Sequence, residues 1–205
     1  HHPHAYNNLG ATLIDVGKYQ EARSNLKKAI ELQPDYAEAY NNLGNAYKEM
    51  EEYNEAILVY EKAIKLNPQY YEAYNNLGAA LGKNEQYDEA IEAYNKTILL
   101  KPDFAEAYNN MGIALEEQGK LDKAIKSLEK AISIKPDYAE GFINLELLKI
   151  QLSDFYFKLP GINNEKNSRL YYVLSKHPKY QIQKAISKFM FGELRLCSQY
   201  LQKYY

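Results

Sequence analysis

The sequence contains one cysteine, Cys197, no tryptophan and no long apolar run. A single cysteine excludes an intrachain disulfide framework and any zinc site built from several cysteines. No apolar stretch approaches the roughly 20 residues that cross a bilayer, and no signal-peptide pattern opens the sequence. We therefore expect a protein of a reducing compartment and predict a cytoplasmic location.

Motifs of catalysis and cofactor binding are missing as well. The sequence has no glycine-rich phosphate loop, no metal-ligand pair at helix spacing and no nucleophile motif. His1, His2 and His4 cluster around Pro3, and we interpret them as a cloning remnant or a frayed start, not as a metal site. The sequence thus predicts a protein that is not an enzyme and has no cofactor, catalytic residue or metal.

What the sequence does contain is a repeat of 34 residues. The stretch QPDYAEAYNNLGNAY at 33–47 returns as NPQYYEAYNNLGAAL at 67–81 and as KPDFAEAYNNMGIAL at 101–115, then weakens to KPDYAEGFINLELLK at 135–149. Pro34, Pro68, Pro102 and Pro136 mark this period. A fixed period of this length is typical of stacked supersecondary units that bury their apolar surface against neighbouring units.

Each repeat has the pattern of a helical hairpin. The first helix of the second unit presents Tyr40, Leu43, Gly44 and Tyr47 on one face. A second helix is predicted from about residue 54 to residue 66, because the following proline at 68 cannot continue a helix. Small residues of each unit stand opposite large ones, which predicts that the two helices approach closely.

Position for position, the unit resembles the tetratricopeptide repeat: a large aromatic, Leu, Gly and Tyr, then Ala, aromatic, Ala and Pro. The resemblance covers residues 3 to about 145, although Tyr6, Tyr40, Tyr74 and Tyr108 stand where that family usually has tryptophan. It implies an all-α fold, a right-handed superhelical array of helix-turn-helix units. In that family the first helix of each pair lines a concave groove.

By period, the repeat region 3–136 divides into units at 3–36, 37–70, 71–104 and 105–138. We predict that residues 139–178 form a divergent fifth repeat with a long loop, and that residues 179–205 form an amphipathic capping helix. Because the chain begins inside its first repeat, we expect a fragment of a longer protein.

Charge is unevenly distributed along the chain. Residues 1–153 hold 24 acidic and 16 basic side chains (net −8), whereas residues 154–205 hold 3 acidic and 9 basic ones (net +6). The basic C-terminal helix leaves alternatives to capping open: self-association, contact with a membrane surface, or blocking of the acidic groove. The acidic repeats argue against nucleic acid as a partner.

Asparagine recurs on the face of the first helix that lies opposite the packing face of its own hairpin. This ladder consists of Asn8, Asn42, Asn76, Asn110 and Asn144. Asparagine is mildly unfavourable inside a helix, and its amide can grip a peptide backbone whatever the peptide side chains are. The alternative is that these amides tie neighbouring units together. A second row, formed by Asn7, Asn41, Asn75 and Asn109, lies at the edge of the face and is interpreted as structural.

The same face predicts further peptide-contacting residues and a ligand charge. The candidates are Asn45, Glu49, Lys83 and Glu117. The recurrent Glu38, Glu72, Glu106 and Glu140 are interpreted as capping residues, because Asp35, Asp103 and Asp137 precede three of them at capping-box spacing. Asp15, Glu49 and Glu117 still favour a neutral or basic ligand over an acidic one.

Tetratricopeptide domains that hold the acidic tails of heat-shock chaperones use a clamp of cationic side chains. Here the corresponding positions carry Asn7, Asn41, Asn76, Glu106 and Asn110, so such tails are not expected as partners.

The function predicted from the sequence is a protein-interaction scaffold that binds an extended peptide through its asparagine ladder. The ladder is similar to that in the repeat segment of O-linked N-acetylglucosamine transferases. The alternative is therefore the substrate-docking segment of a larger glycosyltransferase whose catalytic domain lies elsewhere.

Overall fold

A computed structural model describes residues 2–157, with side chains described as far as residue 149. The helices of this part are α1 (Pro3–Asp15), α2 (Tyr19–Leu32), α3 (Ala37–Glu49), α4 (Tyr53–Leu66), α5 (Tyr71–Lys83), α6 (Tyr87–Leu100), α7 (Ala105–Glu117), α8 (Leu121–Ile134) and α9 (Ala139–Phe157). The described part contains no strand. The predicted all-α fold is confirmed, and α4 begins one residue before the predicted start.

The chain divides into two compact units, His1–Lys135 and Pro136–Tyr205. The first unit holds four hairpins, each made of a 13-residue helix followed by a 14-residue helix. Helices α3, α5 and α7 start at residues 37, 71 and 105, in step with the repeat. The second unit begins with α9, a longer helix of 19 residues.

Close packing inside each hairpin rests on a glycine of the first helix. A Cβ atom added to Gly78 would lie 2.6 Å from Cε1 of Tyr94, a ring that is 3% exposed. The same position faces a leucine in the outer hairpins, where a Cβ on Gly10 would lie 2.5 Å from Cγ of Leu26. Because no side chain fits in these gaps, glycine is required for the two helices to approach.

Contacts between successive hairpins differ on the two sides of the first unit. The first helices touch from repeat to repeat, α1 with α3, α3 with α5 and α5 with α7. Among α1 to α8, no second helix contacts another second helix; each contacts only the first helices next to it. The row of hairpins therefore curves so that the first helices line its inner side, where a groove was predicted.

The turn inside each hairpin requires a left-handed backbone at one position. Gly17 and Gly119 occupy it in the outer repeats with φ of 76° and 70°. Glu51 and Glu85 occupy it in the inner repeats with φ of 61° and 62°. The two glutamates adopt a conformation that costs a residue with a Cβ roughly 1–2 kcal/mol.

The domain boundaries beyond the repeats stay predictions. Helix α9 begins at Ala139, where the fifth repeat was predicted to begin, and it continues to Phe157. The predicted long loop and the rest of the fifth repeat, the capping helix at 179–205, and Cys197 lie outside the described residues. None of the described helices is long and apolar enough to cross a membrane.

Candidate functional site

The inner row of first helices is joined by the second row of asparagines. Asn7 is 1% exposed, and its Nδ2 donates a hydrogen bond of 3.0 Å to Oε1 of Glu38 on α3. Its Oδ1 accepts a hydrogen bond of 2.9 Å from Nδ2 of Asn42, one helical turn further along α3. Both ends of one buried amide therefore hold the next first helix; we call this arrangement an asparagine clip.

The clip recurs between later repeats. Asn75, 3% exposed, donates to Oε1 of Glu106 at 3.1 Å and accepts from Nδ2 of Asn110 at 3.3 Å. Asn41, 5% exposed, accepts from Nδ2 of Asn76 at 3.0 Å. The structural interpretation of Asn7, Asn41, Asn75 and Asn109 agrees with their burial.

The clip also determines which end of each ladder amide, nitrogen or oxygen, faces the preceding repeat. An ionised carboxylate only accepts hydrogen bonds, so Glu38 draws the nitrogen end of Asn7 toward it. The oxygen end of Asn7 then faces α3, and Asn42 must present its nitrogen to it. One N–H of Asn42 is thus committed to the array, while its Oδ1 and second N–H remain available. Glu106 orients Asn75 in the same way, so Asn110 also presents its nitrogen to the preceding repeat. Unlike Oδ1 of Asn42, however, Oδ1 of Asn110 accepts a hydrogen bond of 3.3 Å from Nδ2 of Asn109.

The ladder asparagines were expected either to bind a peptide or to tie neighbouring units together, and different atoms of one side chain can serve these two roles. Asn8 is exposed, and Asn42, Asn76 and Asn110 are half-buried. The tie between units describes one N–H of each of these last three residues. Peptide contact through the remaining polar atoms stays a prediction. Asn144 is half-buried on α9, in the second unit.

The interpretation of the recurrent glutamates as capping residues is wrong for α3, α5 and α7. The N-cap residues of these helices are Tyr36, Tyr70 and Phe104, and none of them makes a side-chain capping hydrogen bond. Glu38 and Glu106 instead accept hydrogen bonds from asparagines of the preceding repeat. The carboxylates are drawn to these buried amides and not to the N–H groups of their own helix.

The other predicted contact residues lie on the first helices in different situations. The Oδ1 atom of Asn45 accepts a hydrogen bond of 2.7 Å from the Tyr60 hydroxyl, which commits that oxygen to the core. Glu49 is exposed and lies 3.6 Å from Nζ of Lys48. Lys83 and Glu117 are exposed near the ends of α5 and α7.

Tyrosines of the loops between repeats complete the network, and the sequence interpretation missed them. The hydroxyl of Tyr36 accepts from Nδ2 of Asn7 at 3.2 Å and lies 2.9 Å from Nδ1 of His4. Burial first, and then the charges of Glu38 and Glu72, raises the pKa of Tyr70 to about 12. The signal was present as the aromatic residue that follows each Pro by two positions, at 36, 70, 104 and 138.

Two tyrosine hydroxyls on this part of the array lie beside glutamates. Burial and the nearby Glu38 raise the pKa of Tyr36, and a hydrogen bond with Glu72 raises that of Tyr71. Within the part of the chain that the structure describes, no three His, Cys, Asp or Glu side chains are grouped so as to hold a metal ion. Glu38, Glu49, Glu106 and Glu117 are exposed on the first helices, with Lys83 as the basic exception, so the predicted face carries more acidic than basic exposed side chains.

Comparisons with known proteins identify the repeats. Four family models, three described as tetratricopeptide repeat and one as TPR repeat, match residues 3–69, 59–92, 83–119 and 105–138. No curated protein sequence matches the chain.

Solved structures are similar over most of the chain. PilF of Pseudomonas aeruginosa has a TM-score of 0.74 at 20% identity, over 98% of this chain and 97% of that one. MamA from Desulfovibrio magneticus RS-1 has a TM-score of 0.66 at 26% identity, over 74% of this chain and 86% of that one. The first TPR of Spaghetti (RPAP3), bound to the HSP90 peptide SRMEEVD, has a TM-score of 0.55 at 25% identity, over 57% and 93%. Residues 3–138 of this chain are therefore an array of tetratricopeptide repeats.

Proposed function

We propose that this protein-interaction scaffold binds an extended peptide along the inner row of first helices, through the free polar atoms of Asn8, Asn42, Asn76 and Asn110. The observation that carries the proposal is the clip, because it holds each of the last three amides by one N–H. The oxygens of Asn42 and Asn76 are left to accept an N–H from a peptide backbone. The oxygen of Asn110 already accepts from Nδ2 of Asn109 and offers its second lone pair.

The spacing of the ladder sets the length of the ligand. Packed helices lie about 8–10 Å apart, and an extended chain advances about 3.3 Å per residue. Successive ladder asparagines would therefore contact every third residue of the peptide. Four of them require a segment of about ten residues.

The ladder gives specificity for an extended backbone more than it gives affinity. Each net hydrogen bond contributes about 0.5–1.5 kcal/mol, so four contribute about 2–6 kcal/mol, and ordering a flexible peptide costs about 2–5 kcal/mol. Side-chain contacts must supply the rest. Ile113, 36% exposed on α7, is suited to an apolar contact beside the ladder.

The charge of the inner face favours a neutral or basic peptide. Glu38, Glu106, Glu49 and Glu117 are exposed there, with Lys83 as a basic exception. RPAP3 is seen with an acidic HSP90 peptide, but this chain carries asparagine or glutamate where a cationic clamp would be needed. The docking segment of a glycosyltransferase remains the alternative, although the family models match the repeats alone.

Backbone methylation of the ligand tests the ladder without altering the protein. We would measure fluorescence anisotropy of a labelled 12-residue peptide, Ser-Thr-Lys repeated four times, with the intact chain. The basic peptide should bind, and the Ser-Thr-Glu version should bind at least tenfold more weakly. Methylation of every third backbone nitrogen should also weaken binding at least tenfold, because a methylated nitrogen cannot donate to an asparagine oxygen.

Two matched substitutions locate the site on the protein. Ile113→Arg places a large cation on the inner face and should abolish binding of the basic peptide. Leu99→Arg, at a side chain that is 72% exposed on the second helix α6, should leave it unchanged. Equal binding of methylated and unmethylated peptides would contradict the ladder, and equal loss in both variants would contradict the inner face.

A further inference from the structure

A cleft of about 510 Å³ opens between α6, α7 and α8, at the gap where successive second helices do not touch. Ile91, Met111 and Leu115 give it an apolar lining, with the ring of Tyr108 beside them. Its volume lies in the range of small ligand sites, and its lining suits one or two apolar side chains. It lies among the second helices, away from the contacts between first helices.

The rim of the cleft is basic. Lys123, Lys126 and Lys130 project from successive turns of α8, and all three are exposed. None of the three makes an ion pair with a residue between 2 and 149. Lys120 adds a fourth positive charge and lies 3.6 Å from Asp88. Asp88 also accepts a hydrogen bond of 2.8 Å from Nε2 of Gln118, so the one acidic side chain of the lining already has partners.

Most of these rim lysines are specific to this cleft and do not recur at the equivalent positions of the preceding repeat. One repeat earlier, the positions equivalent to Lys120, Lys123 and Lys126 carry Gln86, Glu89 and Glu92. Only Lys130 has a basic counterpart there, Lys96. The helix needs no lysine at the first three positions in order to fold, because α6 forms without them.

We propose that this cleft is a second docking surface, which takes an acidic peptide segment of a partner protein with an apolar side chain at its centre. The apolar side chain enters between Ile91 and Met111, and carboxylates on either side of it lie over the unpaired lysines. Charge complementarity selects the ligand and speeds its capture, while the apolar lining distinguishes it from other polyanions. The surface is opposite in sign to the inner face, and it does not depend on peptide binding there.

Anisotropy with three labelled eight-residue peptides tests the ligand chemistry on the intact chain. One peptide has Leu-Phe at its centre with three Glu on each side, the second has Ser-Gly at the centre, and the third has Lys in place of Glu. The first should bind at least tenfold more tightly than the other two, and it should weaken at least tenfold between 50 and 300 mM salt. Equal binding of the first two would overturn the proposal, because the apolar lining would then contribute nothing.

Lys123→Glu together with Lys126→Glu tests the location. These changes install the residues that Glu89 and Glu92 provide at the equivalent positions, and they should weaken the Leu-Phe peptide at least tenfold. Lys62→Glu together with Lys65→Glu makes the same charge change at exposed positions of α4 and should have less than a twofold effect. Similar losses in both variants would overturn the assignment to the cleft.

A zero-length carboxylate-to-lysine crosslink on the unaltered chain avoids any question of misfolding. The Leu-Phe peptide should attach mainly to Lys123, Lys126 or Lys130, as read by mass spectrometry of the digested product. Attachment mainly to lysines beyond residue 157 would overturn the proposal. So would oligo(dT) that competes for the site at the same charge concentration, because the surface would then be a general polyanion site.

Discussion

At the level of single residues, the asparagine clip buries the side-chain amide of Asn75, so water cannot take the place of its hydrogen-bond partners. Asn75 is 3% exposed, and its Oδ1 is satisfied by Nδ2 of Asn110. Removing Asn110 alone leaves that buried oxygen without a donor, which costs about 1–3 kcal/mol. Asn110→Ala should therefore lower the free energy of unfolding by this amount, measured by urea denaturation followed by circular dichroism. In an Asn75→Ala background the same change should cost less, because only the hydrogen bond from Nδ2 of Asn109 to Oδ1 of Asn110 is then lost.

Asn95→Ala is the matched control for this cycle. Asn95 is exposed on α6, so its removal should change the free energy of unfolding by less than about 0.5 kcal/mol in either background. An equal cost of Asn110→Ala with and without Asn75 would show that the two amides do not depend on one another. The hydrogen bond from Asn110 to Asn75 would then contribute nothing to stability, and the role of Asn110 as a tie between units would be rejected.

In the helices, the contact between the two members of a hairpin depends on one glycine. A Cβ on Gly78 would meet the buried Tyr94 ring at 2.6 Å, so Gly78→Ala should lower the free energy of unfolding by about 1–3 kcal/mol. Gly82→Ala in the same helix meets nothing within 4 Å and should raise it by up to about 1 kcal/mol. When Tyr94→Ala removes the ring, Gly78→Ala should no longer cost stability. Equal effects at both glycines would contradict the packing argument.

The helices of the fold could be predicted because each unit restates the same small and large residues at the same spacing. The hydrogen bonds that the ladder asparagines make could not be predicted in this way. Asn42 bonds Asn7, 35 residues earlier, and a 34-residue repeat gives the same pattern whether such amides bond across units or face outward. The recurrent glutamates such as Glu38 were wrongly predicted to cap their own helices for a related reason. Glu38 stands at capping-box spacing from Asp35, but its carboxylate accepts a hydrogen bond from a buried amide on the first helix of the preceding repeat. The spacing within one unit does not reveal a partner on another helix.

Across the whole repeat unit, each helix of α1 to α8 contacts only its near neighbours, at most two helices away in sequence. Stability should therefore be local, because each repeat contributes its own hairpin and its interfaces with adjacent repeats. Leu26 on α2 and Leu128 on α8 are equivalent, fully buried residues, and changing either to alanine should lower the free energy of unfolding by about 2–5 kcal/mol.

In hydrogen exchange, Leu26→Ala should speed exchange in α1 to α3 and leave α7 and α8 unchanged. Leu128→Ala should speed exchange in α7 and α8 and leave α1 and α2 unchanged. Faster exchange throughout residues 2–135 in both variants would show a single cooperative unit, because only a global opening transmits the loss of one leucine to helices that it does not touch.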